Sequence, residues 1–316
     1  MASENPPSIV SLDAEAITLQ SVSLWQTTWH RLFRRKSSVV GLGIILALIF
    51  IALTAQWLAP YDPIDQPGKA ENLRPRSAPC IHLLGCPADQ PQHLMGLDAN
   101  FRDEFSRLLY GTRLSLSIGF STVIFAIVIG TVLGALSGYF GGAVDTVIMR
   151  IMDVLLAFPS LLLAIAIVTV LGPGLINALL AIGIVSVPSY ARVVRASVLS
   201  VREMDFVSAT RALGGSDFEI LFGRILPNAL TPLIVQGTLG IATAILDAAA
   251  LSFLGLGAQP PTPEWGAMLG SERNQVFSAP HLVFYPGLAI MITVLAFNLL
   301  GDGLRDALDP RLAHGG

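Results

Sequence analysis

The chain has 316 residues, of which 53% are hydrophobic and only 13% are charged, and its formal net charge is −3. Soluble domains carry about 25% charged residues, so this composition excludes an ordinary water-soluble enzyme and indicates a membrane protein. The lack of a basic surplus also removes the electrostatic attraction on which nucleic-acid binding depends.

Uncharged runs predict the transmembrane helices, because a spanning helix needs about 20 largely apolar residues. Gly172–Pro173–Gly174 interrupts the longest run, and helices do not continue through such a turn, so this run predicts a helical hairpin of two spans. The predicted fold class is therefore all-α, an integral membrane protein with six transmembrane helices. The runs are Val39 to Ala59, Leu114 to Leu136, residues 154–191 (the hairpin), Ile225 to Leu246 and Leu282 to Leu300.

The first run starts too deep in the chain, and is too long, for a cleaved signal peptide. We therefore expect it to remain in the mature protein. The residues before it place apolar side chains on one helical face beside a basic cluster, which predicts a helix lying on the lipids of the inner leaflet. A helix packed on neighbouring protein is the alternative. The apolar residues are Trp25, Trp29, Leu32 and Phe33.

Positive charge predicts the orientation, because Lys and Arg near short loops stay in the cytoplasm. With the amino terminus inside, twelve of the 19 basic residues fall inside, and six of the others belong to the long first outer loop. Both termini are therefore predicted to be cytoplasmic. The predicted segments are a cytoplasmic tail with an interfacial helix (1–38), the first transmembrane helix (39–59), a periplasmic or extracellular loop (60–112), a core of five transmembrane helices (113–303) with a cytoplasmic loop (203–224), and a cytoplasmic tail (304–316).

The long outer loop holds both cysteines, Cys80 and Cys86. If the loop faces an oxidising space, a disulfide that closes a small ring is the natural prediction. A zinc site that also uses His82 and His93 is one alternative, although the spacing matches no standard site. Two unpaired thiols are the other.

Two further patterns predict helix contacts around the second span. Gly130, Gly134 and Gly138 give it one flat face that lets another helix approach closely, either within this chain or from a partner. Just before the span, apolar side chains share one helical face and charged side chains share the other, which predicts a short amphipathic helix on the outer surface. Its apolar residues are Phe101, Phe105, Leu108 and Leu109, and its charged residues are Arg102, Asp103, Glu104 and Arg107.

The sequence lacks the motifs of several enzyme classes. All five histidines lie outside the spans and no HExxH motif is present, which disfavours an intramembrane metalloprotease. Lys36 and Lys69 are the only lysines and neither belongs to a GxxxxGK[ST] phosphate loop. We expect no catalytic residue, no metal and no cofactor in this chain.

Polar side chains within the spans are the candidates for a transport pathway. Asp247 follows the fifth span and is either a gate or pathway residue or the cap of a short outer helix. Gln236 and Asn298, together with Tyr190 and Asn177, either line a path or form hydrogen bonds between helices.

A polar segment, MDFVSATRALGGSDFEILFGRILPN, follows the hairpin at Met204–Asn228. Asp205 is placed to cap a first short helix, Gly214–Gly215 breaks it, and Ser216 with Glu219 forms a capping box for a second. The segment therefore predicts a cytoplasmic elbow of two short helices that fits a groove of another protein.

This elbow resembles the EAA loop in the permease subunits of binding-protein-dependent ABC importers. Ser208, Ala209 and Thr210 stand at the EAA positions, Gly214 at the glycine, and Leu226 with Pro227 at the closing pair. Three other blocks are similar to the second permease subunit of the dipeptide, oligopeptide and nickel family. They are HLMGLDANFRDEFSRLLYGTRLSLSIG, FLGLGAQPPTPEWGAML and AFNLLGDGLRDALDPRL.

The resemblance covers roughly residues 28–312 and has two departures. Phe101 stands where such proteins usually carry glycine, and the loop from Cys80 to Pro91 looks inserted. The resemblance implies a MetI-like permease fold in the inner (plasma) membrane of a bacterium. It also implies a second permease subunit, two ATPase subunits that bind ATP and Mg²⁺ and contact the elbow, and a periplasmic or lipid-anchored substrate-binding protein. It does not choose between dipeptides, oligopeptides, glutathione and nickel.

The loop after the fifth span contains three prolines, which hold φ near −65° and remove backbone donors. Such a stiff loop loses little ordering entropy on binding, so Glu264 and Trp265 are predicted to dock the binding protein. A turn that only aims the sixth span is the alternative. For the whole chain the competing functions are a stand-alone channel or secondary transporter, for which neither ion-coupling groups nor inverted halves are visible, and a membrane enzyme.

Overall fold

A computed structural model describes residues 24–308, with side chains from residue 29 onward. This part of the chain is helical, with turns, two isolated β-bridges and short 3₁₀ and π segments between the α-helices. The α-helices are α1 (Leu24–Arg34), α2 (Lys36–Leu58), α3 (Pro67–Ala70), α4 (Glu104–Phe140), α5 (Gly142–Leu156), α6 (Ser160–Leu171), α7 (Leu175–Arg202), α8 (Asp205–Ala212), α9 (Leu226–Ala229), α10 (Thr231–Phe253), α11 (Trp265–Glu272) and α12 (His281–Leu308).

Five helices, α2, α4, α7, α10 and α12, are long and apolar enough to cross a membrane. The bent pair α5 and α6 makes a sixth candidate, with an angle of 92° between its two parts. The six predicted crossings correspond to these six units. The predicted hairpin turn is present at Gly172–Gly174, but its first leg is the bent pair rather than one straight span. The helix breaks before Pro159, which has no N–H to continue the ladder.

Contacts between the helix ends show which of them lie together at each end of the bundle. At one end, Arg35 before α2 pairs with Asp306 near the end of α12. There too the Tyr139 hydroxyl at the end of α4 donates to Asp217, 2.5 Å away, in the segment after α7. We call this the elbow end. At the opposite end, the loop end, the N–H of Gly174 donates to the carbonyl of Leu256 at 3.0 Å.

The second span is longer than predicted and reaches both ends. The expected surface helix before it is wrong, because α4 starts at Glu104 and runs without a break for 37 residues. Phe101 lies outside this helix with a φ of +63°. The four charged residues of the predicted surface helix are buried instead, and three of the four pair with Asp98 or His93 of the outer loop. The four are Arg102, Asp103, Glu104 and Arg107.

The centre of the core is a close contact between α4 and α7. A Cβ atom at Gly130 would stand 2.7 Å from the Cβ of Tyr190, and one at Gly138 would stand 2.9 Å from the carbonyl oxygen of Arg195. Gly134 likewise faces Ala191. The glycine face of the second span therefore serves a contact within this chain, where small residues let two backbones approach and gain dispersion energy.

The fifth span is shifted along the chain relative to the prediction. α10 begins at Thr231 and continues to Phe253. Asp247 thus lies inside the helix, six residues before its end, and does not cap a short outer helix. The alternative of a capping carboxylate is therefore wrong. The span shifts because Ile225–Ala229 belongs to the elbow, as a π-helical turn and α9.

The helix before the first span has a mixed surface. Leu32 is buried and lies beside Gly303 of α12, whereas Trp29 and Phe33 are exposed and stack with ring centroids 5.6 Å apart. The side chain of Trp25 lies outside the described residues. Leu32 therefore packs on neighbouring protein, which is the alternative to a helix that lies on lipid. Contact of the two exposed rings with the inner leaflet stays a prediction.

Candidate functional site

A cavity of about 250 Å³ opens on one face of the bundle, between the bent pair α5 and α6, α7 and α10. Two of the predicted pathway residues, Gln236 and Asp247, line it, and so does Tyr190. The other two do not. Asn298 is exposed on α12, and Asn177 donates to the carbonyls of Leu171 and Gly172 at 3.0 and 2.9 Å, which closes the end of α6.

The helix period explains why these side chains share the cavity. Gln236, Gly240, Thr243 and Asp247 follow one another at intervals of four, three and four residues, which places them along one face of α10. This spacing was readable from the sequence, but the partners on α7 and α6 were not. They are Ser186, Ser189, Tyr190 and Ser160.

The elbow (Met204–Asn228) is the second candidate site. α8 is followed by Gly214 with a φ of +86°, a left-handed conformation that favours glycine. The Ser216 hydroxyl accepts a hydrogen bond from the N–H of Glu219 at 3.3 Å, so this half of the predicted capping box is confirmed. Asp205 is not a cap, because it is already the first helical residue and Met204 occupies the cap position without a side-chain hydrogen bond.

The elbow has an anchored face and an open face. Its anchors are buried in the main core, and they are Val207, Ile220, Leu221 and Ile225. On the open face, Leu213 is 90% exposed and Phe218 is 74% exposed. Of the motif residues, Ser208, Ala209, Gly214 and Pro227 are exposed, and Thr210 and Leu226 are half-buried. The base of the elbow is therefore packed into the core of this chain, whereas its tip, Leu213 to Phe218, is largely exposed to solvent.

The loop end is built around buried charges that we call the outer charge cluster: Asp98, Arg102, Glu104 and Arg107. Arg102 Nε donates to Asp98 Oδ2 at 2.6 Å, and Arg107 Nε lies 3.6 Å from the same oxygen. Arg107 Nη1 also donates to the carbonyls of Pro63 and Pro261 at 2.9 and 3.1 Å. One guanidinium therefore ties the outer loop, α4 and the segment after α10 together.

His93 lies beside this cluster, buried between two carboxylates. Its Nδ1 is 2.7 Å from Asp103 Oδ1 and its Nε2 is 2.8 Å from Glu71 Oε2. Burial disfavours the charged ring, but hydrogen bonds to Asp103 and Glu71 outweigh it, so the pKa of His93 is raised. Both ring nitrogens face acceptors, which suits the doubly protonated ring. Tyr61 stacks on it, and burial with the nearby Glu71 raises the pKa of that phenol.

Cys80 and Cys86 form a disulfide, with Cα atoms 5.4 Å apart. Because each sulfur is bonded to the other, neither remains as a thiolate for the alternative zinc site. The ring presents Leu83, which is 96% exposed, at its tip.

The docking prediction for Glu264 and Trp265 is wrong, because both side chains are only 1% exposed. Trp265 packs against Gly111, and its Nε1 donates to the carbonyl of Leu108 at 3.2 Å. Glu264 caps α11 by accepting from the N–H groups of Gly266 and Ala267 at 3.0 and 2.8 Å. Burial raises the pKa of Glu264, although these hydrogen bonds act in the opposite direction. These two residues thus fix α11 against α4 and present no side chain to a docking protein.

Two family models match most of the chain. Residues 130–314 match the model of the binding-protein-dependent transport system inner membrane component. Residues 23–75 match the N-terminal transmembrane domain of oligopeptide transport permease C.

Curated relatives resemble the chain over most of its length. The dipeptide transport system permease protein DppC of Alkalihalophilus pseudofirmus is 49% identical, over 92% of this chain and 91% of the relative. The di/tripeptide transport system permease protein DppC of Pseudomonas aeruginosa is also 49% identical, over 90% and 92%. The glutathione transport system permease protein GsiD of Pectobacterium atrosepticum is 46% identical, over 91% of each chain.

A solved structure gives the same fold. The inward-facing MetNI methionine ABC transporter matches with a TM-score of 0.53 and 21% identity, over 64% of this chain and 97% of that chain. At this identity the likeness concerns the fold alone, a MetI-like permease bundle. The family model and the relatives together show that the chain belongs to the binding-protein-dependent inner membrane components, the permease subunits of ABC importers.

Proposed function

We propose that this chain is one of two permease subunits in an importer of short peptides. The observation that carries the proposal is the 49% identity, over some nine-tenths of the chain, to permeases named for dipeptides and for di- and tripeptides. Glutathione, named for a third relative, is itself a modified tripeptide. The common chemistry is a short chain with amide groups, an amino end and a carboxylate.

The elbow is the proposed contact with an ATPase subunit. Its tip carries exposed Leu213 and Phe218, and exposed apolar side chains on an anchored base are typical of a protein contact. No phosphate-loop motif occurs in the sequence, so ATP and Mg²⁺ are proposed to bind to two separate ATPase subunits, one for each permease. This chain then supplies no catalytic residue and converts motion of the elbow into rearrangement of the spans.

We propose that the cavity is the part of the transport pathway that this chain contributes. It opens on the surface of the bundle instead of being enclosed, and Thr243 and Leu246 beside it are exposed. We propose that the second permease covers this face, so that the pathway runs between the two subunits. Polar groups from α7 and α10 would then replace water around the substrate.

The orientation follows from the charge at the two ends. Basic residues gather at the elbow end, among them Arg34, Arg35, Arg202, Arg211 and Arg305. The elbow end is therefore proposed to be cytoplasmic, in the inner (plasma) membrane of a bacterium. The loop end, with its disulfide, then faces the oxidising side, where a substrate-binding protein delivers the peptide.

The test is purification of the whole complex with its operon partners, followed by uptake into proteoliposomes. Candidate substrates are a dipeptide, a tetrapeptide, glutathione and Ni²⁺, each with its binding protein and with ATP. We expect ATP-dependent uptake of peptides. Uptake of Ni²⁺ but of no peptide would contradict the substrate class, and uptake without ATPase subunits would contradict the mechanism.

A further inference from the structure

The cavity contains one charged group. Its lining in the described chain consists of apolar side chains, hydroxyls, the amide of Gln236 and the carboxylate of Asp247, and none of the lining residues is Lys, Arg or His. The hydroxyls and the amide along the cavity wall can form hydrogen bonds with neutral polar groups. The carboxylate of Asp247 is the one group in this lining that carries a formal charge. The cavity therefore has a negative pole near the loop end of α10.

The carboxylate of Asp247 is available to a ligand. Within residues 29–308 it takes part in none of the hydrogen bonds or ion pairs of the structure, although it is half-buried. A carboxylate that has lost part of its water without gaining a partner on its own chain binds a cation strongly, because the field of the charge is poorly screened there. Its partner should come from outside this chain.

The shape of the cavity extends away from this pole. Asp247 lies eleven positions after Gln236 on one helix face, which corresponds to about 16 Å along the axis. Between them the Tyr190 hydroxyl lies over Gly240, where a methyl group would collide with it. The absence of a side chain at position 240 therefore lets a phenol reach the middle of the wall, where it can bond an amide group.

We propose that Asp247 receives the ammonium group of the peptide amino terminus during transport, with the peptide backbone lying toward Tyr190 and Gln236. This inference rests on the proposed function. A divalent metal is a poorer occupant, because a metal site takes several carboxylate, imidazole or thiolate donors and this wall offers one. An ammonium needs one carboxylate and a few neutral acceptors, which is what the cavity holds.

The test uses the full complex in nanodiscs without ATP and does not depend on delivery by the binding protein. Thr243→Cys places a thiol one helical turn from Asp247. The two native cysteines of this chain do not react because they form a disulfide, and labelling is measured on this subunit after it is separated from the others. Labelling rates are compared for two methanethiosulfonates, one with a trimethylammonium group and one with a sulfonate. We expect the cationic reagent to react about tenfold faster relative to the anionic one than it does in Thr243→Cys/Asp247→Asn. Thr243→Cys/Asp302→Asn is the matched control, since Asp302 is exposed at the elbow end of α12.

Peptide protection then identifies the ligand. A dipeptide with a free amino end should slow labelling of Thr243→Cys, its N-acetylated form should not, and neither should protect in Thr243→Cys/Asp247→Asn. Equal protection by both peptides, protection by Ni²⁺ instead, or a reagent preference that Asp247→Asn leaves unchanged would overturn the inference while peptide uptake by the unmodified complex continues. If the unmodified complex takes up no peptide, the proposed function fails and the inference falls with it.

Discussion

The two ends of the bundle differ in the side chains that they bury and expose. The loop end buries charged groups, among them Asp98 and Arg107, and supplies their partners from its own chain. The elbow end anchors a short segment and leaves Leu213 and Phe218 exposed. The first region draws most of its partners from this chain, and the second is the contact proposed for an ATPase subunit. Substitutions at the loop end should therefore affect stability, and substitutions at the elbow should affect assembly.

The largest expected effect is at the elbow tip. Leu213→Asp or Gly214→Trp should reduce transport about 100-fold, since a central apolar anchor in an interface is commonly worth 2–4 kcal/mol. Both variants should still enter the membrane, and Leu213→Asp should keep its melting temperature because Leu213 is 90% exposed. Open space surrounds Gly214, but tryptophan strains the backbone there at a φ of +86°, which should cost about 1 kcal/mol of stability. The measurement is substrate-stimulated ATP hydrolysis together with copurification of the ATPase.

Leu83→Asp is the matched control for this prediction. Leu83 is as exposed as Leu213, but it lies at the tip of the disulfide ring at the other end. It should leave ATPase binding intact. Unchanged substrate-stimulated hydrolysis in both elbow variants would mean that the elbow tip is not the contact.

The next effect tests the outer charge cluster. Arg107→Met should destabilise the purified complex by about 3 kcal/mol, because it leaves the carbonyls of Pro63 and Pro261 without the buried donor that joins them to α4. Arg113→Met is the control on the same helix, where the side chain is exposed. The measurement is the midpoint temperature of thermal inactivation for each of the two variants. If the two variants melt alike, the cluster contributes little to stability.

A smaller effect concerns pH and His93. Because the pKa of His93 is raised in the folded state, its contribution to stability is fully present below the unfolded value of about 6.5 and is lost as pH rises through the folded pKa. Hydrogen exchange of the outer loop should therefore speed up from pH 6 to pH 9 beyond the intrinsic chemical increase. His93→Gln cannot titrate and should remove that extra dependence. An identical pH profile in the two proteins would assign the dependence to other groups.

The smallest effect concerns Phe101. It holds a left-handed φ of +63° without being glycine, which costs about 1 kcal/mol. Phe101→Gly should relieve this strain but lose part of the contact of a half-buried ring, so we expect a net gain below 1 kcal/mol. Phe101→Ala is the comparison, since it loses the ring and keeps the strain. A lower melting temperature for the glycine variant than for the alanine variant would contradict the role of the backbone.

The sequence predicted what depends on local pattern and missed what depends on distant partners. Apolar runs located the spans, and Gly172 and Gly214 located two turns. The pattern from Arg102 to Arg107 predicts a charged face on a surface helix, because local spacing does not reveal partners such as Pro261, up to 154 residues away. The proline-rich loop predicts a docking face at Trp265 for the same reason, since its acceptor is the carbonyl of Leu108 on another helix. The pathway residues on α10 shared a readable spacing, but only tertiary packing identified α7 as the opposite wall.

Helix α4 is long enough to connect the two ends of the bundle as one continuous rod. At 1.5 Å per residue, its 37 residues form a rod of about 55 Å. Its first turn holds Arg107, and its last holds Tyr139, which bonds the elbow. Close packing of its glycine face on α7 stiffens the rod against bending. A tilt of about 10° at the elbow would therefore displace the far end by about 10 Å, so this helix can act as a lever between the two sides of the membrane.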